Sequence, residues 1–230
     1  MNATELADYF RSQVRDEVAP YLWSDEEILT YMNEAQKMFV RLTNGIYDVS
    51  TTACCTVAIT AGQKFSTLHP AVLEIRKAYY VDGTTGYKRE LPIISLADID
   101  SLSSSDYGVY NNASIQDLPG RVEYMLTGEE RGKVRWINVP TENATVELAI
   151  ARMPLTSLSR TQLVLEVPED HHIYLTEWMK HLAYNKQDGD AFNPKTSTES
   201  EMRFRAYCDF VWKEWERYRH THRTIAYGGI

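Results

Sequence analysis

The chain has 230 residues, with 24 Lys plus Arg against 32 Asp plus Glu and a formal charge of −8. That length suits one domain, or one domain carrying an insertion, with a core needing no disulfide or metal support. The acidic balance excludes the usual free-standing nucleic-acid reader, whose affinity comes largely from neutralising phosphates, and 43% hydrophobic with 24% charged residues excludes a mostly disordered chain.

Asn2 and Glu5 have capping-box spacing, and Leu6, Phe10, Val14 and Val18 recur every four residues until Pro20, which predicts a first helix. Ser24 and Glu27 repeat the box. From there Ile28, Met32, Ala35, Phe39 and Leu42 form one apolar stripe, with Gly45 where a C-terminal cap belongs. Residues 19–23 are the turn between these two helices.

After Gly45 the period becomes two. Tyr47, Val49, Thr51, Ala53, Cys55, Val57 and Ile59 alternate with small or polar partners, predicting one strand. In that strand Cys54 and Cys55 point to opposite faces, so at most one is buried and they form neither a metal edge nor a redox pair. Ala61-Gly62-Gln63 turns the chain; Leu73, Ile75, Lys77, Tyr79 and Val81 alternate again; Asp82-Gly83-Thr84-Thr85-Gly86 turns it; residues 87–94 return, with Pro92 marking an edge. Further strands are predicted over 121–126, 133–139 and 145–152. Between them, 101–118 is rich in Ser, Asn and Asp and holds no Lys or Arg, the pattern of a functional or mobile loop.

Helices return at Pro168-Glu169-Asp170, where Leu175, Trp178, Met179 and Leu182 share a face that ends near Asn185. Thr198 and Glu201 open a last helix with Phe204, Cys208, Val211, Trp215 and Tyr218 on one stripe. The expected fold class is α+β: a four-helix bundle-like frame (1–45 and 168–219), an inserted antiparallel β-sandwich or small barrel (46–167), and an extended C-terminal tail (220–230).

Three cysteines, two adjacent and Cys208 distant, make no even framework and no Cys-x-x-Cys spacing. They point to a reducing compartment. No apolar run is long enough to span a bilayer, and residues 1–15 hold no apolar signal-peptide core. The expectation is a soluble protein made inside a cell, or in a particle assembled there.

The chain contains no G-x-G-x-x-G, no Walker-type lysine loop, no G-x-S-x-G and no H-E-x-x-H. Among metal-ligating types, His171, His172, Glu177 and His181 cluster, and Glu177 and His181 are four apart on one helix. They read as ordinary polar helix residues, and a metal enzyme using His172, Glu177 and His181 is the competing idea. No catalytic residue, metal or cofactor is assigned, and the protein is not expected to be an enzyme. His220 and His222, with Arg217, Arg219 and Arg223, read as a basic helix end. Fifteen Tyr and five Trp suit a core, and suit an interface that is apolar and wet at once. In the tail, Arg223, Thr224, Ile225, Ala226, Tyr227, Gly228, Gly229 and Ile230 could add as a strand to a partner's edge. The alternative reading is a free-standing β-domain that binds a carbohydrate or protein ligand.

The segment Trp23-Ser24-Asp25-Glu26-Glu27-Ile28-Leu29-Thr30-Tyr31-Met32-Asn33-Glu34-Ala35-Gln36 is followed, in order, by four further motifs. These are Leu118-Pro119-Gly120-Arg121-Val122-Glu123-Tyr124, Trp136-Ile137-Asn138-Val139-Pro140, Ala151-Arg152-Met153-Pro154, and Val167-Pro168 leading towards Tyr174. This layout resembles the head-to-tail adaptor proteins (neck or head-completion connectors) of tailed bacteriophages. The resemblance implies a structural virion protein of the neck, assembled in the host cytoplasm. It implies a homo-oligomeric ring, usually of twelve copies, docked under the portal protein. It further implies that the ring extends the DNA channel, touches translocating DNA only transiently, supports tail nozzle, tail tube or tail fibre proteins, and inserts its C-terminal segment into the portal. No membrane insertion is implied. A charge of −8 suits a conduit that must not grip phosphates.

Overall fold

A computed structural model describes residues 1–96, 117–189 and 191–219; expectations for residues 101–116 of the loop and for the tail at 220–230 lie outside them. The chain forms two compact units, Met1–Ile46 with Met153–Ile230, and Tyr47–Arg152.

Helix α1 (Ala3–Val14) opens on the expected reciprocal box: the Asn2 side chain accepts from the Glu5 N–H, and the Glu5 carboxylate accepts from the Asn2 N–H, each at 2.9 Å. Arg15 closes it in the left-handed region at φ 60°. Val18, assigned to the same stripe from spacing, therefore lies beyond the helix and is 81% exposed. Helix α2 (Asp25–Leu42) starts on the Ser24–Glu27 box. It unwinds through Asn44 and Gly45 at φ 66° and 89°, with the Gly45 N–H reaching back to the Val40 carbonyl at 2.7 Å.

The β unit departs from the predicted first strand. Strand β1 (Ile46–Asp48) stops, a helical turn α3 (Thr52–Cys55) intervenes, and β2 (Thr56–Ile59) follows. The break is local chemistry: the Asp48 carboxylate accepts from the Ser50 and Thr51 N–H groups at 2.9 and 3.1 Å, folding the chain back on itself. Cys54 and Cys55 are consequently both buried, which corrects the opposite-face expectation.

The remaining strands are β3 (Phe65–Thr67), β4 (Val72–Asp82), β5 (Lys88–Leu91), β6 (Ile93–Ser95), β7 (Pro119–Gly120), β8 (Tyr124–Thr127), β9 (Lys133–Ile137), β10 (Val139–Pro140) and β11 (Ala144–Arg152). One sheet runs β1-β11-β4-β5, with β2 also on β11; a second runs β3-β9-β8-β6; β7 and β10 form a small parallel ribbon. The long antiparallel β4–β11 pair is the spine. Pro92 sits where the chain leaves β5, an edge of the first sheet, and begins β6, an edge of the second. A residue without an N–H fits that switch. The β6–β8 pair is parallel, so the arrangement is mixed. It is sandwich-like, and no closed barrel forms among the described residues. At the β4–β5 hairpin, the Asp82 carboxylate accepts from the Thr84 and Thr85 N–H groups at 2.9 and 2.7 Å.

The chain then returns to helix. A 3-10 turn (Glu169–His171) leads into α4 (His172–Tyr184), and α5 (Pro194–Arg219) begins four residues before the Thr198 predicted as its start. Asn193 explains the earlier start, since its side chain accepts from the Thr196 N–H at 3.1 Å while Pro194 occupies the first helical position. Leu6, Phe10, Trp23, Met32, Phe39, Leu175, Met179, Phe204 and Cys208 fill the helical core. Leu158, Leu165 and Val167, from the stretch 153–167 grouped above with the β region, pack into it as well. No described helix is long and apolar enough to cross a membrane.

Candidate functional site

In the Trp23–Gln36 segment, Asp25, Glu27, Asn33 and Gln36 reach out of their helix to other parts of the helical unit. Arg11 is almost fully buried. Its guanidinium donates to Asp16 at 2.7 Å, to Asp25 at 2.7 Å and to the Trp23 carbonyl at 3.0 Å. Trp23 packs edge-on against Phe10 and Tyr184, with ring centroids 5.9 and 5.8 Å away. Asn33 clamps Leu158 from both sides, accepting its N–H at 2.7 Å and donating to its carbonyl at 3.0 Å. Gln36 accepts the Glu166 N–H at 3.0 Å, and Glu166 in turn accepts the Leu155 and Thr156 N–H groups. The segment thus straps the 153–167 connection onto α2. A buried amide left without its partner costs roughly 1–3 kcal/mol, so these residue types are dictated by the strap.

The histidines do not converge. His171 Nδ1 pairs with the Tyr207 hydroxyl at 2.8 Å, His172 Nε2 with the Val167 carbonyl at 2.7 Å, and His181 Nδ1 with Ser197 Oγ at 3.0 Å; Glu177 accepts from Lys180 at 2.8 Å. His171 sits among aromatic rings, 4.9 Å from Phe39 and 6.0 Å from Tyr207 by centroid, and burial lowers its pKa below the ordinary histidine value. His220 and His222 lie outside the described residues.

Sequence reasoning missed the cluster of Asp48, Cys54 and Cys55, whose donor atoms lie within 4.8 Å of one another. The two sulfurs are 4.0 Å apart. Asp48 is already committed: one oxygen accepts from Arg152 Nε at 2.6 Å and Thr51 Oγ1 at 2.7 Å, the other from Ser50 and Thr51 N–H. Burial, reinforced by the Asp48 charge, pushes the Cys55 thiol up to about 12, so at neutral pH it is a protonated thiol and not a reactive thiolate. The run Asp48, Ser50, Thr51, Thr52 carries turn chemistry. The alternation of Val49, Thr51 and Ala53 masked that signal.

Surfaces are more suggestive than clefts. A shallow pocket of about 410 Å³ opens between α2 and residues 158–161, bridged by Arg160 and Glu26 at 2.8 Å. A smaller one, about 210 Å³, lies in the β unit beside Arg121, Tyr80 and Asp82. Trp23, Trp136 and Trp178 are core residues, whereas Tyr21, Tyr47, Tyr87 and Tyr174 are exposed with Ile173 and Phe210. Arg217 is exposed in the last turn of α5, and Arg219 ends that helix. Arg223 and residues 224–230 lie outside the described residues.

The family model for the SU10 adaptor protein matches residues 1–219, every described residue of both units. No curated protein matches the chain.

Proposed function

The chain belongs to the SU10 adaptor protein family, a family of phage head-to-tail adaptors, and on that premise we propose that it forms a ring joining the portal to the tail. As an adaptor it is a virion component near the head–tail junction that contacts other head or tail proteins. In the proposed reading, twelve copies surround and extend the DNA channel, touch passing DNA without gripping it, and offer the tail nozzle, tube or fibre proteins a platform. Its part in the particle is architectural, with no reaction to catalyse. The observation that carries the reading is the family match across both units, and the commitment of the Trp23–Gln36 polar residues to the helical frame supports it.

Docking on the portal is assigned to Arg223 and residues 224–230, steered by Arg217 and Arg219 at the close of α5. An extended segment gives affinity through its backbone and specificity through alternate side chains such as Ile225 and Tyr227. Co-sedimentation with the cognate portal, comparing the full chain with a 224–230 deletion, tests this. Loss of at least tenfold in bound protein is expected; undiminished binding by the deleted chain removes the tail from the docking role.

A further inference from the structure

Cys54 and Cys55 are consecutive in sequence, yet the α3 turn brings their sulfurs to 4.0 Å, in a cluster with the Asp48 carboxylate whose donor atoms all lie within 4.8 Å of one another. Cys54, Cys55 and Asp48 are 1%, 3% and 7% exposed. Two sulfurs on one tetrahedral zinc ion, each bonded at about 2.3 Å, stand about 3.8 Å apart. The pair is therefore already at chelating distance, and drawing in the carboxylate takes a shift on the order of 1 Å. Arg152 Nε at 2.6 Å and the Ser50 and Thr51 N–H groups orient Asp48, and a ligating carboxylate commonly carries outer hydrogen bonds of this kind. Its other bonds come from the Thr51 and Ser50 hydroxyls at 2.7 and 3.3 Å, rotatable donors that can yield their place to a cation.

We propose that Asp48, Cys54 and Cys55 bind one thiophilic divalent cation of the zinc class per chain, with water in the fourth position. With both thiols protonated, the buried Asp48–Arg152 ion pair sums to zero charge. Binding breaks two S–H bonds, forms two metal–sulfur bonds and passes both protons to solvent. The loaded site then holds two thiolates, one carboxylate, one guanidinium and one divalent ion, again zero. Buried charges persist only when they are balanced, and this set is balanced in both states. Two sulfurs and one oxygen are the wrong donors for calcium or magnesium, which take oxygen ligands, and suit zinc or cadmium. Entry is through α3, a single four-residue turn whose Thr52 and Ala53 are exposed. The bound ion ties the end of β1 to α3 and, through the Asp48–Arg152 pair, to the end of β11. All of these residues belong to the Tyr47–Arg152 unit, so the site needs no partner copy and stands independently of the ring reading.

The test is metal titration of the full-length protein, purified with a phosphine reductant and stripped with a chelator. Zinc should bind at one equivalent per chain and release two protons per ion into a weakly buffered solution. Its apparent affinity should rise about a hundredfold per pH unit below neutrality, the slope that two displaced protons impose. Cobalt in place of zinc should give the ultraviolet thiolate-to-cobalt charge-transfer band and the intense visible bands of a tetrahedral site. Cys54→Ser and Cys55→Ser should each weaken zinc binding on the order of a hundredfold and halve the charge-transfer band, whereas Cys208→Ser, in the other unit, should change neither. The proton count and the cobalt spectrum are read on the unsubstituted chain, so they decide the matter even where a serine variant fails to fold. Zinc binding without proton release, or undiminished in both serine variants, places the ion elsewhere and overturns the site. Absence of the charge-transfer band up to millimolar cobalt also overturns it.

Discussion

Arg11 and Asp16 show how one buried ion pair shapes an exposed surface. Their side chains are 8% and 7% exposed, and each is saturated with further partners: Asp25 and the Trp23 carbonyl for Arg11, the Leu22 and Trp23 N–H groups for Asp16. Removing one member leaves a charge buried without its counterpart, a loss of about 3–5 kcal/mol. Asp16→Ala should therefore lower the unfolding free energy in urea by about 3 kcal/mol and leave 18–22 open to proteolysis. Asp48 gives a pH signature. Burial opposes its ionisation, but hydrogen bonds from Thr51, Arg152 and Ser50 prevail and hold its carboxyl below the ordinary aspartate value of 3.8. Its folded-state affinity for a proton is thus weaker than in the unfolded chain, so its contribution is complete above about pH 4 and drains away as pH falls further. Asp48→Asn should be less stable at neutral pH and show a shallower acid limb in a thermal melt series from pH 5 to pH 2. None of this was legible in the alternation 47–59, because a period of two reports which faces could be buried and says nothing of a carboxylate that captures two N–H groups.

The helices were legible where a cap and a stripe agree. Both boxes formed, and the α2 stripe of Ile28, Met32, Ala35 and Phe39 is buried. Where spacing stood without a stop signal it ran too far: Val18 continued the α1 period, but left-handed Arg15 and the pull of Asp16 end the helix first. For α5 the capping-type residues Thr198 and Glu201 misled, since Asn193 and Pro194 offer an equally good start and add a turn. In the β unit the long strands β4 and β11 were clear, while β3 and the β7–β10 ribbon, too short to show a period, were not. The Asn33–Leu158 clamp was invisible because its partner is 125 residues away. Asn33→Ala removes both of its hydrogen bonds and should lower stability by roughly 1–3 kcal/mol. Limited proteolysis should then cut within 155–163 several-fold faster, while cleavage in α4 stays unchanged.

For the whole molecule, the order of weak motifs carried more than any one of them. In this chain Trp23, Ser24, Asn33 and Gln36 supply a core ring, a helix cap and two strap contacts within fourteen residues, and the family match extends over residues 1–219. The acidic balance suits a protein that encircles DNA in a channel, since a net charge of −8 per copy repels phosphate. The central claim is a ring seated on the portal, and the most direct measurement is the mass of purified cognate portal particles before and after saturation with this protein. The account predicts one discrete increment near twelve times 26.5 kDa; an unchanged particle mass at saturating protein would contradict it.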